Sequence, residues 1–215
     1  MGPTRSLAPT GVEARRARAL HRRAVLAAPM AALWSRAASA ASAAGAVEAL
    51  RGSAYAQAMD TRRTLALASE IFIADQVSTS TQSALGLRLG TATLVRLGPE
   101  ARLRIDRYLV NAGGVLELGG GAMLFEHDAA AHGPELAIRT PFGLLAVRGT
   151  RFFAGPSNGV FGVFVIEGAV EVVGAGSSVR VTPGLGTDIL RPGAEPTDPH
   201  GWSAARVERA LASVS

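Results

Sequence analysis

Residues 138–173 read IRTPFGLLAVRGTRFFAGPSNGVFGVFVIEGAVEVV, and this stretch decides the fold. It is rich in β-branched and aromatic residues and is cut by Pro and Gly at short intervals, which predicts strands at 136–140, 144–148, 150–154, 160–166 and 169–173. Pro141 holds Thr140 extended and removes one ladder donor, which suits an edge or a corner. Gly149 permits positive φ or a close backbone approach, as at a bulge. Glu167-Gly168, set between the apolar runs 163–166 and 170–173, reads as a tight hairpin turn.

The same pattern extends in both directions. Upstream, apolar alternation recurs at Leu85, Leu87 and Leu89, at Val95 and Leu97, at Leu103 and Ile105, and at Met123 and Phe125, with Gly90, Gly98-Pro99 and 119–121 as punctuation. Short strands at near-regular spacing predict an all-β fold, either a rolled sandwich or β-solenoid-like. The repeats are too uneven to name a solenoid class. Segment 47–75 is read as strands, with a helix over 54–70 as the alternative, because Ala, Gln, Met and Arg are good helix formers. Downstream come a turn at 174–176, a strand at 178–182, a Pro183-Gly184 turn and a last strand at 187–190. A Pro-rich linker over 192–199 leads to a short C-terminal helix, with Val207, Leu211 and Val214 on one face. That helix is either docked or frayed.

The overall charge of +5 is unevenly spread: residues 1–40 carry +6 and residues 41–215 carry −1. A basic nucleic-acid face on the rest of the chain is therefore not expected. Cysteine is absent, which excludes disulfides, thiolate metal sites and Cys nucleophiles.

Residues 5–23 are Arg-rich, 24–35 (AVLAAPMAALWS) are apolar, and small residues follow. This is the layout of an export signal, with Ala38-Ser39-Ala40 and Ala41-Ser42-Ala43 both fitting a cleavage site. Arg22-Arg23-Ala24-Val25-Leu26 has the form of a twin-arginine signal, with an ordinary secretory signal as the other reading. The apolar stretch is about 12 residues, where a span needs about 20, so no stable membrane span is expected after cleavage. An uncleaved anchor is the third reading. The expected division is an export signal over 1–43, a β domain over 44–192, and a linker with helix over 193–215. The expected location is periplasmic or secreted.

The 138–173 stretch resembles the FecR domain, an extracytoplasmic module. The matching positions are Thr140-Pro141, then Val147-Arg148-Gly149-Thr150-Arg151-Phe152, then Glu167-Gly168-Ala169-Val170. Gly90-Thr91, Leu97-Gly98-Pro99, Leu103 and Asp106 extend the resemblance, which covers roughly 47–190; Phe142 departs from it. The resemblance implies a non-enzymatic signalling or protein-interaction module of the cell envelope. It implies a protein partner there, either a TonB-dependent receptor or an anti-sigma component, and no cofactor. The cytoplasmic sigma-binding part of such regulators has no counterpart here, since 1–23 is too short to hold it. The alternative function is a structural or glycan-associated envelope domain.

Of the motif residues, Thr140, Pro141, Gly149, Thr150, Phe152, Glu167 and Gly168 are read as architectural. Arg148 is read either as a staple turned inward onto carbonyls or Glu167, or as part of a partner surface. Glu126, His127, Asp128 and His132 could approach a divalent cation, but their loop spacing fixes no ligand geometry, so no metal is expected. No nucleophile motif, zinc motif or P-loop is present, and no catalytic residue is assigned.

Overall fold

The computed structural model describes residues 43–109, 113–128 and 136–215, and for 107–109 the backbone alone. The expected signal residues Arg22, Arg23, Ala38 and Ala40 lie outside the described residues, as does His132. The strands are β1 (Ala43–Arg51), β2 (Ala54–Ala58), β3 (Thr61–Thr64), β4 (Glu70–Phe72), β5 (Gln76–Thr79), β6 (Ala84–Leu89), β7 (Thr93–Leu97), β8 (Arg102–Leu109) and β9 (Gly113–Gly120). They continue as β10 (Met123–His127), β11 (Leu136–Thr140), β12 (Gly143–Val147), β13 (Arg151–Ser157), β14 (Val160–Glu167), β15 (Val170–Gly174), β16 (Ser177–Val181), β17 (Leu185–Ile189) and β18 (His200–Gly201), followed by helix α1 (Ala204–Ala212).

The strands form two open sheets, ordered β18-β17-β14-β13-β10-β7-β6-β1-β4 and β16-β15-β12-β11-β9-β8-β5-β2-β3. The first sheet holds the β6-β7 and β13-β14 hairpins, and the second holds β8-β9, β11-β12 and β15-β16. Pairing is antiparallel throughout the described residues except for β9 with β11, which run parallel. The result is an all-β two-sheet sandwich with a short C-terminal helix. The helical alternative for 54–70 is not taken, because Ala54 and Ala56 point into the core while β2 hydrogen-bonds to β3 and β5.

One apolar core fills the space between the sheets. Strand alternation builds it: Val95 and Leu97 of β7 point inward while Leu94 and Arg96 point out. Phe125 and Phe152, both fully buried, meet across the β10-β13 ladder with ring centroids 5.4 Å apart. At one end the β11-β12 hairpin turns through Pro141-Phe142. The Thr140 hydroxyl donates to the Gly143 carbonyl and accepts from the Phe142 and Gly143 N–H groups. Thr140-Pro141 is thus a hairpin turn rather than a corner between sheets, and it places Phe142 in a stack on Phe161 at 4.5 Å.

The hairpin expected at Glu167-Gly168 is a sheet-to-sheet crossing instead. Strand β14 is already paired on both edges, by β13 and β17, and β15 by β12 and β16. The two strands therefore cannot pair with each other, and the turn carries the chain across the core. Pro183-Gly184 likewise links β16 of one sheet to β17 of the other. Two of the two-residue hairpins, Asn158-Gly159 and Ala175-Gly176, have positive φ at both central residues, as a type I′ turn requires.

Helix α1 covers part of the outer face of the first sheet. Its cap is Ser203, whose hydroxyl accepts from the Arg206 N–H. Trp202 lies on a bare strip where β14 and β17 present glycine: a Cβ on Gly186 would fall 2.3 Å from the indole Nε1, and one on Gly162 would fall 2.6 Å from the ring. Phe164 stacks on the same indole at 5.2 Å. Arg206 closes the arrangement. Its guanidinium sits 3.5 Å over the Trp202 ring, donates to both Asp188 carboxylate oxygens and donates through Nε to Ser157. Among the described residues, no helix is long and apolar enough to cross a membrane.

Truncating Arg206 strands Asp188 beneath the helix and removes the cover from Trp202. Arg206→Ala is expected to lower stability by about 3 kcal/mol, the cost of breaking a mostly buried ion pair by removing one partner. Gly186→Ala is expected to unseat the indole and release the helix. Urea unfolding followed by circular dichroism checks both.

Candidate functional site

The first sheet ends in a cavity of about 340 Å³, lined by Arg88, Ala92, Leu94, Glu126, His127, Asp128, Gly149, Thr150, Arg151 and Glu167. Beside Arg88, Ala92 and Leu94 of the β6-β7 hairpin, three chain segments build it. Strand β10 ends at His127, the β12-β13 link supplies 149–151, and β14 ends at Glu167. The backbone joins the first two, since the His127 N–H donates to the Thr150 carbonyl at 2.9 Å. The third is held by close approach. Gly168, at φ 78°, packs so tightly on the preceding crossing that a Cβ there would lie 2.3 Å from the Gly149 carbonyl oxygen. The two halves of the sequence motif are thus pressed together at one corner of the sandwich.

The motif residues do not all meet. Gly149, Thr150 and Glu167 line the cavity. Phe152 is fully buried in the core, and Thr140 and Pro141 form the β11-β12 turn. Arg148 is exposed rather than turned inward, and it has no ion pair with Glu167. The residue opposite Glu167 in the ladder is Arg151.

Two side chains that matter here were not singled out together by the sequence. Glu126 and Arg151 are register partners on β10 and β13. With Phe125 and Phe152 turned inward, their neighbours Glu126 and Arg151 must both point out. Alternation in each strand was readable; the pairing of the two strands was not. The Arg151 Nε lies 3.6 Å from Glu126 Oε1, and Arg96 approaches the same oxygen at 3.9 Å, both beyond hydrogen-bond range. Glu126 Oε1, Arg151 Nε and Thr150 Oγ1 are all buried atoms without a hydrogen-bond partner. Thr150 is only 2 % exposed.

His127 packs on Phe125, and its Nδ1 is 2.8 Å from the Thr93 hydroxyl. Burial disfavours the imidazolium and lowers its pKa, with Asp128 acting in the opposite direction. Among the described residues, no group of three or more His, Asp or Glu converges as a cation site. A second cavity of about 490 Å³ lies beside the end of α1, between Leu50, Leu94 and Val214.

A histidine whose pKa falls on folding resists protonation in the native state. Its contribution is full above the unfolded-state value near 6.5 and is lost as pH falls toward the folded value. The urea midpoint is therefore expected to drop between pH 7 and 5, and His127→Gln is expected to flatten that slope. Gly168→Ala, strained at positive φ and blocked by the Gly149 carbonyl, is expected to cost about 2 kcal/mol in the same assay.

The family model described as "FecR protein" matches residues 75–171. No curated protein matches the chain. The crystal structure at 1.65 Å of a "putative anti-sigma factor" from Parabacteroides distasonis ATCC 8503 superposes with a TM-score of 0.54 at 20 % identity, covering 63 % of this chain and 64 % of that one. A second structure with the same description, at 2.50 Å, gives a TM-score of 0.54 at 20 % identity and covers 63 % of each chain. This chain therefore spans just under two thirds of each of those proteins, and at that identity the likeness establishes the fold alone. The match to the FecR model over 75–171 contains the whole lining of the cavity and both halves of the motif.

Proposed function

We propose that this chain is an exported, non-enzymatic module of envelope signalling that acts by binding another protein. The match to the FecR model over 75–171 carries this reading. The fold shared with chains described as anti-sigma factors supports a signalling-regulator domain. Open sheet edges support this reading. Neither sheet closes, so β16 and β3 border one sheet while β18 and β4 border the other. Such edges offer unpaired backbone groups to a partner strand. The partner is an envelope protein, either a TonB-dependent receptor or an anti-sigma component.

Export rests on residues 1–43, with Arg22-Arg23 as a twin-arginine pair and cleavage after Ala40. A cut there leaves β1 whole. A cut after Ala43 removes the residue paired with Phe72 of β4. Residues 44–192 then act as the working domain, and 193–215 as a strap that ends in α1.

In-cell crosslinking of C-terminally tagged protein, with partners and the mature N-terminus read by mass spectrometry, tests the proposal. The expected result is a terminus at Ala41 and a receptor or anti-sigma protein among the crosslinked products. An uncut terminus together with recovery of wall material alone overturns it.

A further inference from the structure

We infer that strand β16 is the place where two copies of this chain join, edge to edge, as a two-fold dimer. The inference goes beyond the envelope-signalling reading, whose partner is a different protein. Strand β16 pairs with β15 on one side and borders its sheet on the other. The Ala175-Gly176 turn decides which of its backbone groups are used. In a two-residue hairpin the flanking residues, here Gly174 and Ser177, exchange both hydrogen bonds, and bonded pairs then recur at Val172-Val179 and Val170-Val181. The N–H and C=O of Ser178 and Arg180 therefore point away from β15. Among the described residues, no backbone group meets them there. Ser178 and Arg180 are both exposed, and β16 carries neither a Pro nor a bulge to blunt its edge.

These free groups fit a second copy of the same strand. In the antiparallel register that uses all of them, Ser178 exchanges both bonds with Arg180 of the second copy, and Arg180 with its Ser178. Val179 then faces Val179 across the two-fold axis. Val179 is half-buried and leans on the core from the open edge, so a second Val179 completes its cover. On the outer face, Arg180 stands between Glu171 of its own ladder and Ser178 of the second copy, and no like charges are directly opposed. The second sheets of the two copies become one continuous sheet.

The other edges do not match themselves in this way. Strand β3 turns back on β2 through Met59-Asp60, which leaves the backbone groups of Arg62 and Thr64 free. The register that uses both residues sets Arg63 directly against Arg63, a destabilising pair of like charges. Strand β4 has three residues and β18 has two, too short for such a ladder.

The test is analytical ultracentrifugation of the full chain over a concentration series. Wild type is expected to approach twice the mass of one chain as concentration rises. Ser178→Pro removes an outward N–H from each copy and no bond to β15, a position where an edge strand tolerates Pro. It is expected to raise the dimer dissociation constant about 25-fold, the worth of two hydrogen bonds at about fivefold each. Thr64→Pro, the same change at the free edge of β3, is expected to leave that constant unchanged. Oxidative crosslinking then reads the register, in a chain that has no Cys of its own. Residues opposed in a non-hydrogen-bonded pair have Cα atoms about 4.5 Å apart, within disulfide range. Val179→Cys is expected to lock as a covalent dimer, and Ser178→Cys, offset from its own copy by two residues, is not.

A chain that stays monomeric overturns the inference. So does a dimer that Ser178→Pro leaves as tight as wild type, or one that Ser178→Cys locks as readily as Val179→Cys. A monomer that still captures an envelope protein leaves the signalling reading standing, and a dimer without such a capture does the reverse.

Discussion

The close approach of Gly168 to the Gly149 carbonyl fixes the corner on which the motif and the cavity depend. Two crossings, β12 to β13 and β14 to β15, meet there, with the Gly149 carbonyl and the Thr150 methyl directly against Gly168. Any larger residue at 168 must push the 148–150 link away. That link starts β13 and carries the Thr150 carbonyl that receives the His127 N–H. The two Gly residues of the motif are thus one contact seen from two places in the sequence. Glu126, Thr150 and Arg151 come together because the backbones at this corner do.

A second constraint acts on the opposite side of the first sheet. Gly162 and Gly186, on adjacent strands, leave a bare strip for an indole, and Trp202 fills it under the Arg206 guanidinium. The buried Arg206-Asp188 pair contributes direction more than net energy, because desolvation offsets most of its attraction. Aromatic stacking with Phe164 and burial of Val214 supply the driving force that holds α1 on the sheet. The end of the helix also reaches the β7-β8 crossing, where a Cβ on Gly98 would fall 2.3 Å from the Ser213 carbonyl. The C-terminal strap therefore braces the far end of the sheet as well as covering its outer face.

Much of this molecule was legible from its chain. Period-two alternation with Gly and Pro punctuation determined the all-β class, most strand positions and the inward set such as Val95, Leu97, Phe125 and Phe152, because pleat geometry turns alternate residues to opposite faces whatever the topology. The motif residues named the FecR domain for the same local reason. What only the tertiary structure decided was which strands pair. An x-Gly dipeptide between apolar runs reads alike at Asn158-Gly159, a true hairpin, and at Glu167-Gly168, a crossing between sheets. Local backbone preference permits both outcomes. The choice falls to the occupancy of each strand's two edges, a long-range property that no short stretch encodes. The cavity follows from that choice, since Glu126 and Arg151 are 25 residues apart in sequence and meet only across the β10-β13 ladder.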